Sequence, residues 1–202
     1  MGFLGHIYVI DDDASMRTSL VRMLENCGYS CDAYESAQAF LDQSVPVSPA
    51  AILLDMRMAH MSGAELQEHL QGLDIKTPVV MISGESSPFE IVKSMKLGAV
   101  DFLFKPFSLD DLLKALSVAI EKDKQQLVKL NQTLSVTQRY ESLTPREREV
   151  CGLLVDGLMS KDIALQLGTS TATIKVHKAR VMEKMQAESL QELVKLLAIV
   201  NE

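Results

Sequence analysis

The first 122 residues alternate short apolar runs with amphipathic stretches. The apolar runs, rich in β-branched residues, lie at 6–10, 29–34, 51–54, 78–82 and 100–104; the amphipathic stretches lie at 14–26, 36–42, 63–70, 88–97 and 109–122. Runs of the first kind predict buried strands, and the apolar spacing of the second kind predicts helices. Five such units in strict alternation predict an α/β fold, a five-stranded doubly wound parallel sheet with helices on both faces.

A long helical pattern follows Ser108, and residues 109–144 contain neither Gly nor Pro. Ser108 is suited to cap this helix, with Asp110 and Asp111 in its first turn. Eight heptad positions, six of them apolar, can be read along it: Leu113, Leu116, Ile120, Asp123, Leu127, Leu130, Leu134 and Thr137. This seam predicts a helix that continues to about residue 137 and pairs in parallel with a second copy. The alternative is an ordinary last helix followed by a polar linker.

The remaining chain is helical, with clear start signals. Thr144-Pro145-Arg146-Glu147 predicts a capping box. We expect Ser160 to cap a helix at 161–167, Ser170 to cap one at 171–185, and Ser189 to open the last. The pattern predicts a second, all-α domain of four helices that contains a helix-turn-helix. The predicted organisation is a domain at 1–122, a helical linker at 123–140 and a helix-turn-helix domain at 141–202.

The helix predicted at 171–185 has two different faces. One face carries Ile174, His177, Val181 and Met185, and the other carries Lys175, Val176, Lys178, Ala179 and Met182. Lysines mixed with small apolar side chains suit the major groove of DNA, where lysine can contact guanine and Val or Ala can contact thymine methyl groups. We expect Lys175 to read bases with Val176 and Ala179, and Lys178 and Arg180 to contact phosphates. A charged helix face is often only solvated, but the flanking helix-turn-helix favours DNA.

Charge and composition narrow the classes of function. The net charge of −7 argues against a uniformly basic nucleic-acid binder, yet residues 171–185 carry four basic side chains and one Glu. No apolar run is long enough to span a bilayer, and the N-terminus does not resemble a signal peptide, so we expect a cytoplasmic protein without membrane contact. The three cysteines lack the partners of a zinc site.

Polar residues follow four of the five predicted strands. Asp11 and Asp12 follow the first, Asp55 the third, Ser83 the fourth and Lys105 the fifth. Because the carboxyl ends of parallel strands share one edge, we expect these side chains to converge there. Converging carboxylates suit Mg²⁺, and Mg²⁺ with Lys and a hydroxyl suits phosphoryl transfer, with Asp55 as the nucleophile.

Two other functions fit part of this pattern. A Mg²⁺-dependent phosphatase with an Asp nucleophile needs a second Asp two residues later, but position 57 is Arg. We therefore expect no enzyme of that kind. A regulator controlled by protein binding without phosphorylation is the other alternative, although the set of Asp12, Asp55, Ser83 and Lys105 argues against it. Taken singly, the Asp cluster could be only a helix cap and Lys105-Pro106 only a turn.

Four segments of the first domain resemble the receiver domain of two-component response regulators: VIDDD (9–13), LLDMRM (53–58), MISGE (81–85) and DFLFKPF (101–107). The resemblance implies a flavodoxin-like fold and a phosphoacceptor Asp55 that receives phosphate from a histidine kinase. It implies Mg²⁺ bound by Asp12, Asp55 and the backbone carbonyl of Arg57, with Asp11 acting mainly through water. It also implies that Lys105 and Ser83 hold the phosphoryl oxygens.

Two further expectations come with the receiver resemblance, together with one departure from it. Phe102 matches the aromatic residue that rotates inward on activation, and Lys105 would join Pro106 through a cis peptide. Ala59-His60 stands where receivers of this type usually have Pro and an acidic residue or Gly. Since Pro would restrain the backbone beside the phosphoacceptor, this departure puts the phosphoryl lifetime in doubt.

The segments 143–154, 157–185 and 189–197 resemble the LuxR-type domain of NarL/FixJ-class regulators. Together the two resemblances imply a transcription regulator in which phosphorylation changes the surface at about 88–120. The phosphorylated protein would form a homodimer and bind double-stranded promoter DNA. RNA polymerase is a further expected partner.

Overall fold

The computed structural model describes residues 4–42 and 47–200. Within them the first eight elements are β1 (His6–Ile10), α1 (Ala14–Asn26), β2 (Ser30–Tyr34), α2 (Ala37–Leu41), β3 (Ala50–Asp55), α3 (Gly63–Gly72), β4 (Val79–Ser83) and α4 (Pro88–Lys96). The next six are β5 (Asp101–Phe104), α5 (Leu109–Glu141), α6 (Pro145–Val155), α7 (Ser160–Gln166), α8 (Thr171–Met185) and α9 (Leu190–Val200). Contacts divide the chain into two compact units that meet between Leu127 and Val128.

The first unit is built on a five-stranded parallel sheet in the order β2-β1-β3-β4-β5. Alternate residues of the central strands face opposite sides: Ile52 and Leu54 pack with the cluster that contains α2 and α3, while Leu53 packs with α1 and α5. The predicted α/β fold is confirmed. Successive connections leave β1 in opposite directions, so the topological switch point lies between β1 and β3, at the carboxyl ends of these strands.

Helix α5 is longer than most, at 33 residues. Ser108 caps it as predicted, since its Oγ accepts a hydrogen bond from the Asp111 N–H at 3.1 Å. The predicted continuation past residue 122 is confirmed, and the helix ends at Glu141.

The predicted pairing seam is wrong for the first half of α5. Leu116 and Ile120 are buried in the core of the first unit, against its own sheet. Asp123 is also buried, and its Oδ2 accepts hydrogen bonds from Ser48 Oγ at 2.6 Å and the Ala50 N–H at 2.9 Å. These side chains cannot face a second helix at the same time. The seam positions Leu127, Leu130 and Leu134 are exposed.

The second unit contains α6 to α9 and the end of α5. Its core holds Val136 and Leu143 together with Val181, Met185 and Leu193. The start of α6 forms the predicted capping box between Thr144 and Glu147. Ser170 and Ser189 also cap as predicted, accepting from the N–H groups of Thr173 and Glu192.

The predicted cap of α7 is wrong. Ser160 is the first residue inside α7, and Met159 takes the N-cap position without a side-chain hydrogen bond. In the described ranges, 4–42 and 47–200, we find no helix with the length and apolar character needed to cross a bilayer.

Candidate functional site

Three carboxylates meet at the switch point of the sheet. The register pairs Ile10 with Leu54, so the residues that follow β1 lie beside the end of β3. One carboxylate oxygen from each of Asp11, Asp12 and Asp55 lies within 4.8 Å of the others. Asp11 is 1% exposed and Asp55 is 4% exposed, while Asp12 faces solvent. Three like charges this close require compensation by cations.

Lys105 supplies one such cation. Its Nζ lies 2.8 Å from Asp11 Oδ2 and 2.7 Å from Asp55 Oδ1. The end of β5 is tied to β4 by a hydrogen bond from the Lys105 N–H to the Ser83 carbonyl at 2.7 Å, and the expected cis peptide to Pro106 is present. Burial lowers the pKa of Lys105, but the hydrogen bonds and charges of the two carboxylates outweigh this and raise it. Lys105 is therefore held in its charged form.

The environment of Asp55 is short of positive charge even with Lys105 present. Burial raises the pKa of Asp55, and the charge of Asp11 adds to this effect; the hydrogen bond from Lys105 opposes it without cancelling it. The second oxygen of Asp55 accepts the N–H of Arg57 at 2.9 Å. An electron-rich, partly open cluster of hard oxygen ligands fits a divalent cation such as Mg²⁺. The carbonyl of Arg57 as a further ligand stays a prediction.

Asp13 has a structural role, although it is next to the cluster. Its Oδ1 accepts the N–H groups of Ser15 and Met16 and so caps α1. These two hydrogen bonds, with Met16 the larger influence, lower the pKa of Asp13. Asp13 thus stays outside the metal cluster, as the sequence analysis assumed.

Ser83 is fully buried at the end of β4, and its hydroxyl is engaged by the following loop. Its Oγ donates to the Glu85 carbonyl at 2.8 Å and accepts from Ser86 Oγ at 2.9 Å. Phe102 is half-buried, with its ring centroid 5.2 Å from that of the exposed Phe104. Both predicted residues therefore lie on the strands next to the cluster, β4 and β5.

Three residues of the site were missed by the sequence analysis. Arg17 donates from Nη1 to the Asp11 carbonyl at 2.7 Å, and Ser86 engages Ser83. Gly63 opens α3 against the end of β3, where an added Cβ would lie 2.5 Å from the Asp55 carbonyl oxygen. A glycine directly after a helix cap, Ser62, was the available signal for such a close approach.

The departure at Ala59-His60 forms a tight turn beside the cluster. His60 is exposed and has φ of 68°, in the left-handed region that glycine adopts without cost. The Met61 N–H donates across it to the Ala59 carbonyl at 2.8 Å. The Ala59 N–H donates to Asp12 Oδ2 at 2.9 Å, and a proline at this position would lack that donor.

Helix α8 in the second unit has the two faces that its sequence predicts. Ile174, Val181 and Met185 are buried, and His177 is half-buried. Among the predicted DNA contacts, four side chains are exposed and Lys178 is half-buried; the exposed four are Lys175, Val176, Ala179 and Arg180. The polar face is thus open to a ligand.

The ion pair beneath α8 ties it to α6. Lys184 Nζ lies 2.6 Å from the buried carboxylate of Glu147. This hydrogen bond, helped by the backbone of Thr144, lowers the pKa of Glu147 to about 2. The contact links the capping box to the last turn of the predicted DNA-binding helix.

Comparisons with known proteins agree with both halves of this description. Residues 7–117 match the family model of the response regulator receiver domain, and residues 141–197 match that of bacterial regulatory proteins of the luxR family. The transcriptional regulatory protein FixJ of Bradyrhizobium diazoefficiens is 41% identical over 192 residues, covering 95% of this chain and 94% of that protein. The response regulator protein TodT of Pseudomonas putida is 36% identical over 190 residues, covering 94% and 84%.

Solved structures of similar proteins show the same two folds. The response regulator StyR matches with a TM-score of 0.85 and 36% identity, covering 96% of this chain and 98% of that chain. Full-length FixJ from B. japonicum matches with a TM-score of 0.60 and 40% identity, covering 98% and 97%.

Proposed function

This chain belongs to the response regulators that join a receiver domain to a LuxR-type DNA-binding domain, and we propose that phosphorylation of Asp55 by a histidine kinase controls its binding to promoter DNA. Regulation of transcription that depends on phosphorylation is the function of this family. The observation that carries the proposal is the position of Lys105, which bridges Asp11 and Asp55 at the edge that Asp12 also occupies.

The reaction transfers a phosphoryl group from a phosphohistidine to a carboxylate oxygen of Asp55. A P–O bond forms as the P–N bond breaks, and the bonding electrons go to the leaving imidazole nitrogen. Asp12 and Asp55, with the carbonyl of Arg57 and with Asp11 through water, would hold Mg²⁺, which neutralises charge on the phosphoryl oxygens. Lys105 Nζ now contacts Asp55 Oδ1, so it is already placed to shift onto a phosphoryl oxygen.

The switch follows from the contacts of Ser83. To donate to a phosphoryl oxygen, its hydroxyl must leave the Glu85 carbonyl. That change frees the loop before α4 and makes room for Phe102 to turn inward. The surface formed by α4, β5 and α5 changes as a result; it carries exposed apolar side chains, with Phe89 at 76% exposure. We propose that this surface mediates the homodimer of the phosphorylated protein.

The second unit would place α8 in the major groove of double-stranded DNA. Lys175, Val176 and Ala179 on the exposed face are suited to base edges, and Lys178 and Arg180 to phosphates. Two copies brought together would read two half-sites. We propose the cytoplasm, where kinase and promoter meet, as the place of action, with RNA polymerase as a further partner.

In vitro phosphorylation tests the first part of the proposal. The purified chain, incubated with acetyl phosphate and Mg²⁺, should incorporate acid-labile phosphate, and Asp55→Asn should not, because an amide cannot attack phosphorus. Asp13→Asn is the matched control: Asn still caps a helix, so labelling should persist. Undiminished labelling of Asp55→Asn would refute the assignment.

Alanine variants test the division of roles on α8. Lys175→Ala should weaken binding to the specific site by about 1–3 kcal/mol and relax base preference. Lys178→Ala and Arg180→Ala should weaken binding to specific and random DNA alike and reduce its salt dependence. Lys195→Ala, an exposed lysine on α9, is the control. Equal behaviour of the two groups on both kinds of DNA would contradict the division.

A further inference from the structure

A polar pocket of about 330 Å³ lies at the edge of the receiver sheet opposite Asp55. It is formed where the end of α3, the loop before β4, the end of α4 and the stretch of α5 around Lys122 and Gln126 come together. Since a water molecule occupies about 30 Å³ of liquid, the space exceeds what one bridging water fills. Its volume falls at the lower end of the range for small-molecule sites.

Glutamine amides in the pocket wall have been left with carbonyl oxygens to satisfy. Gln67 is 3% exposed, and its Nε2 donates to the Ser94 carbonyl at 3.1 Å. Its Oε1 has no partner among the described residues, and neither has the buried Oε1 of Gln126. Rotating the Gln67 amide would place its oxygen against the Ser94 carbonyl, so the orientation is fixed. Each unsatisfied buried acceptor costs about 1–3 kcal/mol, which a ligand with N–H donors would recover.

The opposite sign of charge is available at the mouth of the same pocket. Lys122 is exposed and has no ion-pair partner in the described ranges, whereas Lys76 pairs with Asp74 at 3.0 Å. An anionic group bound at the mouth would therefore meet Lys122. Apolar side chains, including Leu70, Ile75 and Leu97, complete the wall.

We propose that this pocket binds a small zwitterion, an α-amino acid. Its ammonium group would donate to the amide oxygens of Gln67 and Gln126, and its carboxylate would pair with Lys122. The apolar wall would accept a side chain of modest size. The site is independent of phosphorylation chemistry, and its ligand would contact α3, α4 and α5 together, so the receiver would respond to a metabolite as well as to a kinase.

The test is a titration of the full ¹⁵N-labelled chain with each standard L-amino acid in turn, followed through the side-chain amide signals of Gln67 and Gln126. At least one amino acid should shift them saturably. The half-molecules of that ligand, such as isovalerate and isoamylamine for L-leucine, should bind at least about tenfold more weakly, a difference of about 1.4 kcal/mol. Absence of saturable shifts with every amino acid, or equal binding of a half-molecule, would overturn the proposal.

Matched substitutions on α5 locate the site. Gln126→Leu and Lys122→Ala should each weaken binding about tenfold or more, whereas their neighbours Gln125→Leu and Lys124→Ala, both exposed, should not. Circular dichroism verifies that each variant is folded, and Lys122→Ala alters only an exposed side chain. Unchanged affinity in both Lys122→Ala and Gln126→Leu would refute the pocket as the site.

Discussion

Replacing Asp123 with leucine should destabilise the receiver. Asp123 is 8% exposed, and one of its oxygens accepts from both Ser48 Oγ at 2.6 Å and the Ala50 N–H at 2.9 Å. Leucine would leave both donors without their acceptor beside the first residue of β3. The same residue, taken as a member of a helix-pairing seam, would instead predict that leucine strengthens dimerisation, so one variant separates the two interpretations.

The magnitude can be worked from the two hydrogen bonds. A hydrogen bond to a charged group contributes about 1.5–3 kcal/mol, and the bonds share one oxygen, so their joint loss costs about 3 kcal/mol. Burial of leucine atoms returns about 1 kcal/mol. A net loss of about 2 kcal/mol, with an m-value of about 1–3 kcal/mol per molar urea, lowers the midpoint by roughly 1 M or more.

Urea unfolding of the full chain, followed by circular dichroism, measures this loss. Asp123→Asn is the control, because its amide oxygen can accept the same two hydrogen bonds, and it should lose about 1 kcal/mol or less. Sedimentation velocity of unphosphorylated Asp123→Leu across a concentration range should show a monomer. A variant as stable as the original chain that dimerises without phosphate would refute the reasoning and restore the pairing seam.

Three further predictions follow from single contacts. Gly63→Ala should reduce both stability and phosphorylation, measured by melting and labelling, because its Cβ would lie 2.5 Å from the Asp55 carbonyl; unchanged labelling would contradict this. Glu147 has a lowered pKa of about 2, so its stabilising effect, about 1–2 kcal/mol after solvent screening at the 35%-exposed Lys184, should vanish as the pH falls from about 4.5 to about 2. A melting difference between the original chain and Glu147→Gln that is constant over that range would contradict this. Lys105→Ala should still accept some phosphate but lose the resulting gain in DNA affinity; a full gain would show that Lys105 does not report the phosphoryl group.

The polar cluster could be predicted because it depends on sheet topology alone. Asp11, Asp55 and Lys105 follow buried strands, and parallel strands bring such residues to one edge regardless of the details of packing. Gly63 and Arg17 could not be placed this way, since their roles depend on how closely α3 approaches β3 and on a side chain reaching a backbone carbonyl. Those are matters of tertiary geometry.

The heptad pattern of α5 misled for a different reason. Apolar positions at helical spacing show that one face is buried, but they do not show what buries it. Leu116 and Ile120 face the helix's own sheet, so the first half of the seam is receiver core. Asp123 looked like an interruption in a dimer seam because its partners, Ser48 and Ala50, lie more than 70 residues away in the sequence.

Helix caps were predicted where the side chain decides and missed where the backbone does. Thr144 and Ser170 stand one residue before the first helical turn and accept from it. Ser160 has the right chemistry, but the extended backbone that precedes α7 is at Met159. A sequence signal cannot resolve a shift of one residue at a helix end.

The central claim is that the state of Asp55 controls DNA binding by the second unit. The most direct measurement is the affinity of the full chain for its promoter DNA, with and without acetyl phosphate and Mg²⁺, for the original chain and for Asp55→Asn. The account predicts that the phosphodonor tightens binding of the original chain about tenfold or more, a gain of about 1.4 kcal/mol, and leaves Asp55→Asn unchanged. An equal gain in both proteins, or none in a chain shown to be phosphorylated, would contradict it.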